Sequence, residues 1–261
     1  MNYDIRIMGK HTYASKDPAA QLYQRYIAPF QYGPLPPYEV GKKSINNGTA
    51  FFIQGNESFA VTCAHCVDGF NDRRKNEANI FLRIGDFIVA DFDSRIIDKN
   101  DELDLCTIRL TSDDLSRVAP EKSFLNLTKS PRLEIGSTVC VIGFPGQLLK
   151  PITENQLEAG LFCLFEVIRE GNISESSFII EFHKDEWVMA VNQSNIDLST
   201  FNNLGGMSGC PVIFQGELMP LLAGIVFQAF PIPEENGKVC RLVARAGYNS
   251  IDENGKIFRV V

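Results

Sequence analysis

Histidine is scarce in this chain, with three among 261 residues, and only one tryptophan occurs. No apolar run approaches the roughly 18 residues needed to cross a bilayer; the greasiest stretch, 218–232, is broken by Pro220, Gly224 and Pro231. No membrane partner is expected. Basic residues are outnumbered, 25 Lys and Arg against 32 Asp and Glu, for a net charge of -7. A phosphate backbone is held mainly by clustered cations that release counterions, so no nucleic-acid partner is expected either. The short run Arg73-Arg74-Lys75 reads as a solvated loop.

Seven cysteines, an odd number at irregular spacing, do not make a disulfide framework. Five of them, Cys63, Cys106, Cys140, Cys163 and Cys210, lie in apolar, strand-like contexts where free thiols pack as small hydrophobes. Residues 1–10 lack the unbroken apolar segment of a secretory signal. Together these features predict a reducing, cytoplasmic setting. Cys63-Ala64-His65-Cys66 has a metal-like spacing, but a tetrahedral zinc site needs ligands from a second cluster and the sequence offers none. No metal and no cofactor is expected.

What the sequence does have is short runs of Val, Ile, Phe and Thr punctuated by Gly, Asn, Asp and Pro, recurring from Gly48 onward. Strands are predicted at 49–54, 58–63, 79–84, 87–92, 105–110, 138–142, 161–168, 178–182, 187–191, 211–214, 221–227 and 241–244. Hairpin-like turns separate several of them, such as Gln54-Gly55-Asn56-Glu57. The pattern is all-β, and many short antiparallel strands mean a sandwich or barrels. The polar stretch 111–136 divides the strands into two halves. The expected organisation is an N-terminal arm over 1–37, a first half over 38–120, a second over 121–230, and a C-terminal strand and tail over 231–261. Within the arm, 18–26 can form a short helix before Pro34, Pro36 and Pro37 impose extended backbone.

Chemistry concentrates at Gly205-Gly206-Met207-Ser208-Gly209-Cys210-Pro211. A tight turn with little side-chain bulk lets a substrate carbonyl approach the Ser208 hydroxyl, and leaves the N–H groups of Gly206 and Ser208 to receive an oxyanion. A serine hydroxyl needs a base, and histidine is the side chain whose ordinary pKa suits the task. His11 lies in the arm and His183 in a polar turn, whereas His65 ends the apolar run 59–64, where a barrel rim would present it. A buried acid must then orient the imidazole. Asp104 heads the apolar run 104–110, where a carboxylate needs a partner; Asp101 and Glu102 precede that run.

These blocks, Thr62-Cys63-Ala64-His65-Cys66, Asp104-Leu105-Cys106-Thr107-Ile108-Arg109-Leu110 and Gly206-Met207-Ser208-Gly209-Cys210-Pro211-Val212, resemble the three signatures of trypsin-like serine peptidases, of the intracellular bacterial type, in that family's order. Gly48-Thr49-Ala50-Phe51-Phe52-Ile53, Val141-Ile142-Gly143-Phe144-Pro145-Gly146 and Leu222-Ala223-Gly224-Ile225-Val226 support the likeness. The resemblance implies two six-stranded antiparallel β-barrels with the active site in the cleft between them, and a serine endopeptidase with His65, Asp104 and Ser208 as its triad. It places Asn202 at the base of the specificity pocket and Phe227, Gln228 and Ala229 in its walls. With no charge among these four, a neutral side chain before the scissile bond is expected.

The chain departs from the family at Met207. Secreted members carry there an aspartate that pairs with an N-terminus freed by cleavage, and methionine cannot. The expectation is an enzyme active as made, or switched by a regulatory protein partner or by loop ordering. Cys66 stands where relatives form a disulfide, yet no cysteine precedes residue 63. The alternative function is a catalytically silent module that binds a peptide within a larger assembly.

Overall fold

The computed structural model describes residues 18–39, 44–118, 120–127, 133–170, 173–174, 177–183, 204–216, 219–231, 239–246 and 250–258. A short helix α1 (Pro18–Tyr23) and a 3₁₀ turn lead into β1 (Ile27–Pro34), followed by β2 (Asn46–Gln54), β3 (Ser58–Thr62), helix α2 (Ala64–Asn76), β4 (Ile80–Ile84), β5 (Phe87–Ile88), α3 (Phe92–Arg95), β6 (Ile96–Asn100), β7 (Leu105–Arg109), α4 (Ser112–Val118) and β8 (Leu125–Asn126). Then come β9 (Thr138–Gly143), β10 (Leu149–Thr153), β11 (Gln156–Ala159), β12 (Phe162–Val167), β13 (Ser177–His183), β14 (Pro211–Gln215), β15 (Pro220–Pro231) and β16 (Val239–Ala246).

Two curled sheets result. The first runs β5-β4-β1-β2-β3-β7-β6 with β8 beside β2, the second runs β12-β9-β14-β15-β16-β13, and β10 and β11 form a separate hairpin. All pairings are antiparallel except that of β2 with β8. The all-β expectation holds. Among the described residues the first sheet counts eight strands rather than six, and the second six.

The near-continuous apolar runs have a simple cause. Successive strand residues point to opposite faces, and here both faces are covered. On β2, Ala50 and Phe52 enter the core enclosed by the first sheet, while Phe51 and Ile53 enter a cluster shared with the second. On β9, Val139 and Val141 fill the second sheet's own core, while Cys140 and Ile142 meet Phe51 and Ile53 in the shared layer. The shared layer welds the two sheets. Removing one of its phenylalanines, such as the fully buried Phe51, costs about 3–5 kcal/mol.

One expectation is corrected here. Residues 27–34, assigned to an arm, form β1 inside the first sheet, paired with β2 on one side and β4 on the other. Pro29 lies within that strand although it has no N–H to donate. Its partner Thr49 turns away, giving its N–H to the Ser208 carbonyl and accepting the Thr62 hydroxyl at its own carbonyl, so nothing facing Pro29 is left wanting. The helix expected at 18–26 is present as α1 and the 3₁₀ turn. The predicted strand at 187–191 lies outside the described residues. The dividing stretch 111–136 contains α4 and β8.

The chain after β16 returns to the first sheet. Asn56 N–H reaches the Glu253 carbonyl, the Thr107 hydroxyl reaches the Gly255 carbonyl, and Ile257 N–H reaches Asp98. Among the described residues, no helix is long and apolar enough to cross a membrane.

Candidate active site

His65 does not end a strand, as the sequence suggested. β3 stops at Thr62, extended Cys63 caps α2, and His65 is the second helical residue. Ala64, Cys66, Val67 and Phe70 form the buried face of that helix, and the strongly strand-like run before them hid the change of period. His65 stands on the open side of the first turn, where helix N–H groups lack internal partners.

Asp104 meets both needs of this residue. Its Oδ1 accepts the His65 backbone N–H at 2.9 Å, and its Oδ2 lies 2.7 Å from the imidazole Nδ1. An ionised carboxylate can only accept, so Nδ1 carries the proton and Nε2 is left as the basic nitrogen. The imidazole is 51% exposed and the carboxylate 18%, so the ring faces solvent while its acid is shielded. The Asp104 hydrogen bond raises the His65 pKa above its usual 6.5, the neighbouring Cys66 adds to this, and burial of the ring opposes it. Asp104 holds a left-handed backbone, φ 53°, just before β7. Asp is among the few residues that adopt this conformation at modest cost.

Ser208 sits half-buried in the turn that precedes β14. Gly206 and Gly209 have φ of 97° and 84°, a region where side chains other than glycine's strain the backbone. A Cβ on Gly209 would fall 2.3 Å from the Thr49 carbonyl oxygen and 3.1 Å from the Cys63 nitrogen. A Cβ on Gly48 would fall 2.9 Å from Cys66 Sγ and 3.6 Å from the Ser208 carbonyl oxygen. The serine turn is therefore wedged against the residues on either side of His65.

The turn is held from the first sheet. Thr49, fully buried, donates its hydroxyl to the Gly206 carbonyl at 2.9 Å and accepts the Phe144 N–H at 3.0 Å. Its backbone N–H donates to the Ser208 carbonyl at 2.9 Å. Gly146 N–H donates to the Gly205 carbonyl at 2.5 Å, and the Asn47 side-chain amide donates to the Phe144 carbonyl. Met207 is fully buried among Leu148, Phe162, Leu204 and Val212. Sequence reasoning missed Thr49 and Asn47. The signal available was Gly48-Thr49 within a family-like block, but a buried threonine in a strand needs no special role.

Phe227, Gln228 and Ala229 lie on β15. The strand bulges between Val226 and Gln228, so Phe227 is the extra residue and leans toward the first sheet's core. Gln228 is exposed, and Ala229 packs on the second sheet's core. β14 pairs with β15 only as far as Ile225, with Val226 joined to Gly209 and Cys210 just beyond. Among the described residues, that side of β15 is an open edge from Phe227 onward. Asn202 lies outside the described residues.

Cys63 Sγ, a His65 ring nitrogen and an Asp104 oxygen all come within 4.8 Å of one another, a set able in principle to hold a metal ion. The donors are already committed. Burial holds the Cys63 thiol well above its usual pKa, and it donates to the Val226 carbonyl at 3.4 Å, while His65 Nδ1 and Asp104 satisfy each other. A neutral thiol is a poor ligand. Cys210 is likewise buried with its pKa raised, which suits a packed thiol rather than a nucleophile.

A solved structure of a thermostable serine protease, AL20, from an extremophilic microorganism superposes with a TM-score of 0.48 at 10% identity, over 85% of this chain and 91% of that one. No curated protein matches the chain. The family model for the trypsin-like peptidase domain matches residues 48–219, well over half the chain, and on that ground the protein belongs to the trypsin-like peptidase family and has its double-barrel fold.

Proposed function

We propose that this chain is a serine endopeptidase whose triad is His65, Asp104 and Ser208. The observation that carries the reading is the pair of hydrogen bonds that Asp104 accepts from the ring and the backbone N–H of His65, beside a serine turn wedged against the same helix start. A peptide lies extended along the open edge of β15 beyond Val226, with Phe227 and Gln228 in the cleft wall. Ser208 Oγ attacks the scissile carbonyl carbon as its proton passes to His65 Nε2. The carbonyl oxygen, now negative, is received by the N–H groups of Gly206 and Ser208. The C–N bond breaks, the imidazolium gives its proton to the leaving amine, and an acyl ester remains on Ser208. Water attacks that ester, passing a proton to His65, and Ser208 regains its hydrogen.

No N-terminal cleavage is needed to set the turn. Where secreted relatives rely on an aspartate paired with a new N-terminus, Met207 is anchored by apolar burial and the Gly206 carbonyl by Thr49. The substrate is a protein or peptide with a neutral residue before the cut. Six cysteines among the described residues are buried thiols rather than half-cystines, which supports a reducing, cytoplasmic setting.

The test is labelling with a fluorophosphonate probe. The expected result is an adduct on Ser208 that disappears in His65→Ala. A folded protein that takes no adduct under any condition would instead be a silent peptide-binding module.

A further inference from the structure

The segment 101–104 has to deliver Asp104 in a left-handed conformation, and side chains of the first barrel hold it. Asn100 accepts the Leu103 N–H at 2.9 Å, and Lys99 bridges Asp101 at 2.5 Å and Asp68 of α2 at 2.8 Å. A further hold comes from the other barrel. Arg245, near the end of β16, donates Nε to the Leu103 carbonyl at 2.5 Å and Nη2 to the Glu102 carbonyl at 2.7 Å. The same guanidinium lies over the Phe227 ring, 4.6 Å from its centroid.

We propose that Arg245 is a positioning residue that clamps Asp104 against His65 and couples that pair to the Phe227 wall of the substrate cleft; this rests on the peptidase reading above. The Leu103 carbonyl shares a rigid peptide plane with the Asp104 nitrogen. Fixing where that carbonyl points fixes the plane from which the Asp104 side chain departs, and a positive φ persists only where its surroundings over-determine it. The planar guanidinium suits the task, because Nε and one terminal nitrogen lie along a single edge and can meet two successive carbonyls, while the flat face covers an aromatic ring. An ammonium group has no such fork. Phe227 is the bulged residue of β15 and packs on the first sheet's core, so clamp and wall share one cation.

A simple charge effect predicts the opposite sign to a clamp. Asp104 and Cys66 are the titratable groups that raise the His65 pKa. Removing a nearby cation that did nothing else would raise that pKa further. Removing a clamp lets Asp104 drift from the ring and lowers it.

The experiment follows the His65 imidazole by NMR titration in Ser208→Ala protein, which needs no catalysis, and measures kcat and KM by peptide hydrolysis with Ser208 restored. Arg245→Ala is expected to shift the His65 titration down by about one unit and to lower kcat by about 100-fold, the scale of an ångström-sized misplacement of a catalytic group. Arg245→Lys, which keeps the charge and loses the fork, is expected to restore less than half of the shift. Phe227→Leu, which leaves the carbonyl clamp in place but removes the ring that the guanidinium covers, is expected to raise KM and to shift the titration in the same direction as Arg245→Ala but by less. A folded Arg245→Ala protein with an unmoved or raised His65 titration overturns the clamp, as does full rescue by lysine. If Arg245→Ala does not fold, the lysine variant decides by the same sign. Failure of the peptidase reading shows separately, as absence of Ser208 labelling in the unmodified chain.

Discussion

Replacing Thr49 by valine removes one hydroxyl and keeps the shape of the side chain, and that hydroxyl is the bridge between the serine turn and the loop after β9. Two bonds are lost together, the one to the Gly206 carbonyl and the one from Phe144 N–H, and the site is completely buried. Water cannot replace them without a cavity. A buried polar group left unpaired costs about 1–3 kcal/mol, so two stranded backbone groups cost about 2–6 kcal/mol of stability. The Gly206 N–H belongs to the backbone whose carbonyl Thr49 holds. Letting it wander blunts one of the two proposed oxyanion donors, and loss of such a donor lowers kcat by about 10²–10³-fold. Urea denaturation measures the first quantity, and the rate of fluorophosphonate labelling of Ser208 tests the second. Thr49→Ser, which keeps the oxygen, should recover most of the labelling rate. The reasoning is refuted if Thr49→Val melts within about 0.5 kcal/mol of the parent, the range of an ordinary surface change, and labels at the same rate.

Four further outcomes follow from the site. Asp104→Asn keeps the size of the acid but cannot hold the Nδ1-protonated tautomer, and kcat should fall by about 10⁴-fold while the fold, checked by circular dichroism, persists. Because Asp104 raises the His65 pKa, the acid limb of the kcat/KM profile should lie above 6.5, with activity rising as the imidazole loses its proton, and in Asp104→Asn the residual limb should move down. The stability linkage has the reverse sign: the Asp104–imidazolium interaction contributes fully below 6.5 and is lost as pH rises through the raised folded value, so His65→Gln should flatten that part of the stability curve. Met207→Asp, which introduces the aspartate of the secreted relatives without an N-terminal partner, should destabilise by about 3–5 kcal/mol in urea melts because it buries an uncompensated charge, and should not raise labelling.

The sequence by itself determined the chemistry on offer and its order along the chain. Short, near-continuous apolar runs between turn residues are local signals, and they named most of the strands; the small-residue turn at Ser208 and the acid heading an apolar run at Asp104 are local too. The tertiary structure decided what those groups do to one another. Whether Pro29 breaks a strand depended on Thr49 facing away from it, and whether residues after Cys63 form strand or helix depended on what Cys66, Val67 and Phe70 could bury. The left-handed Asp104 is supported by Arg245, 142 residues further along in the hydrogen bond to the Leu103 carbonyl, and the Gly206 carbonyl by Thr49, 157 residues earlier. Spacing within a strand or a helical turn carries no information about such partners, because they become neighbours only when two barrels, each with its own core, close on a shared apolar layer.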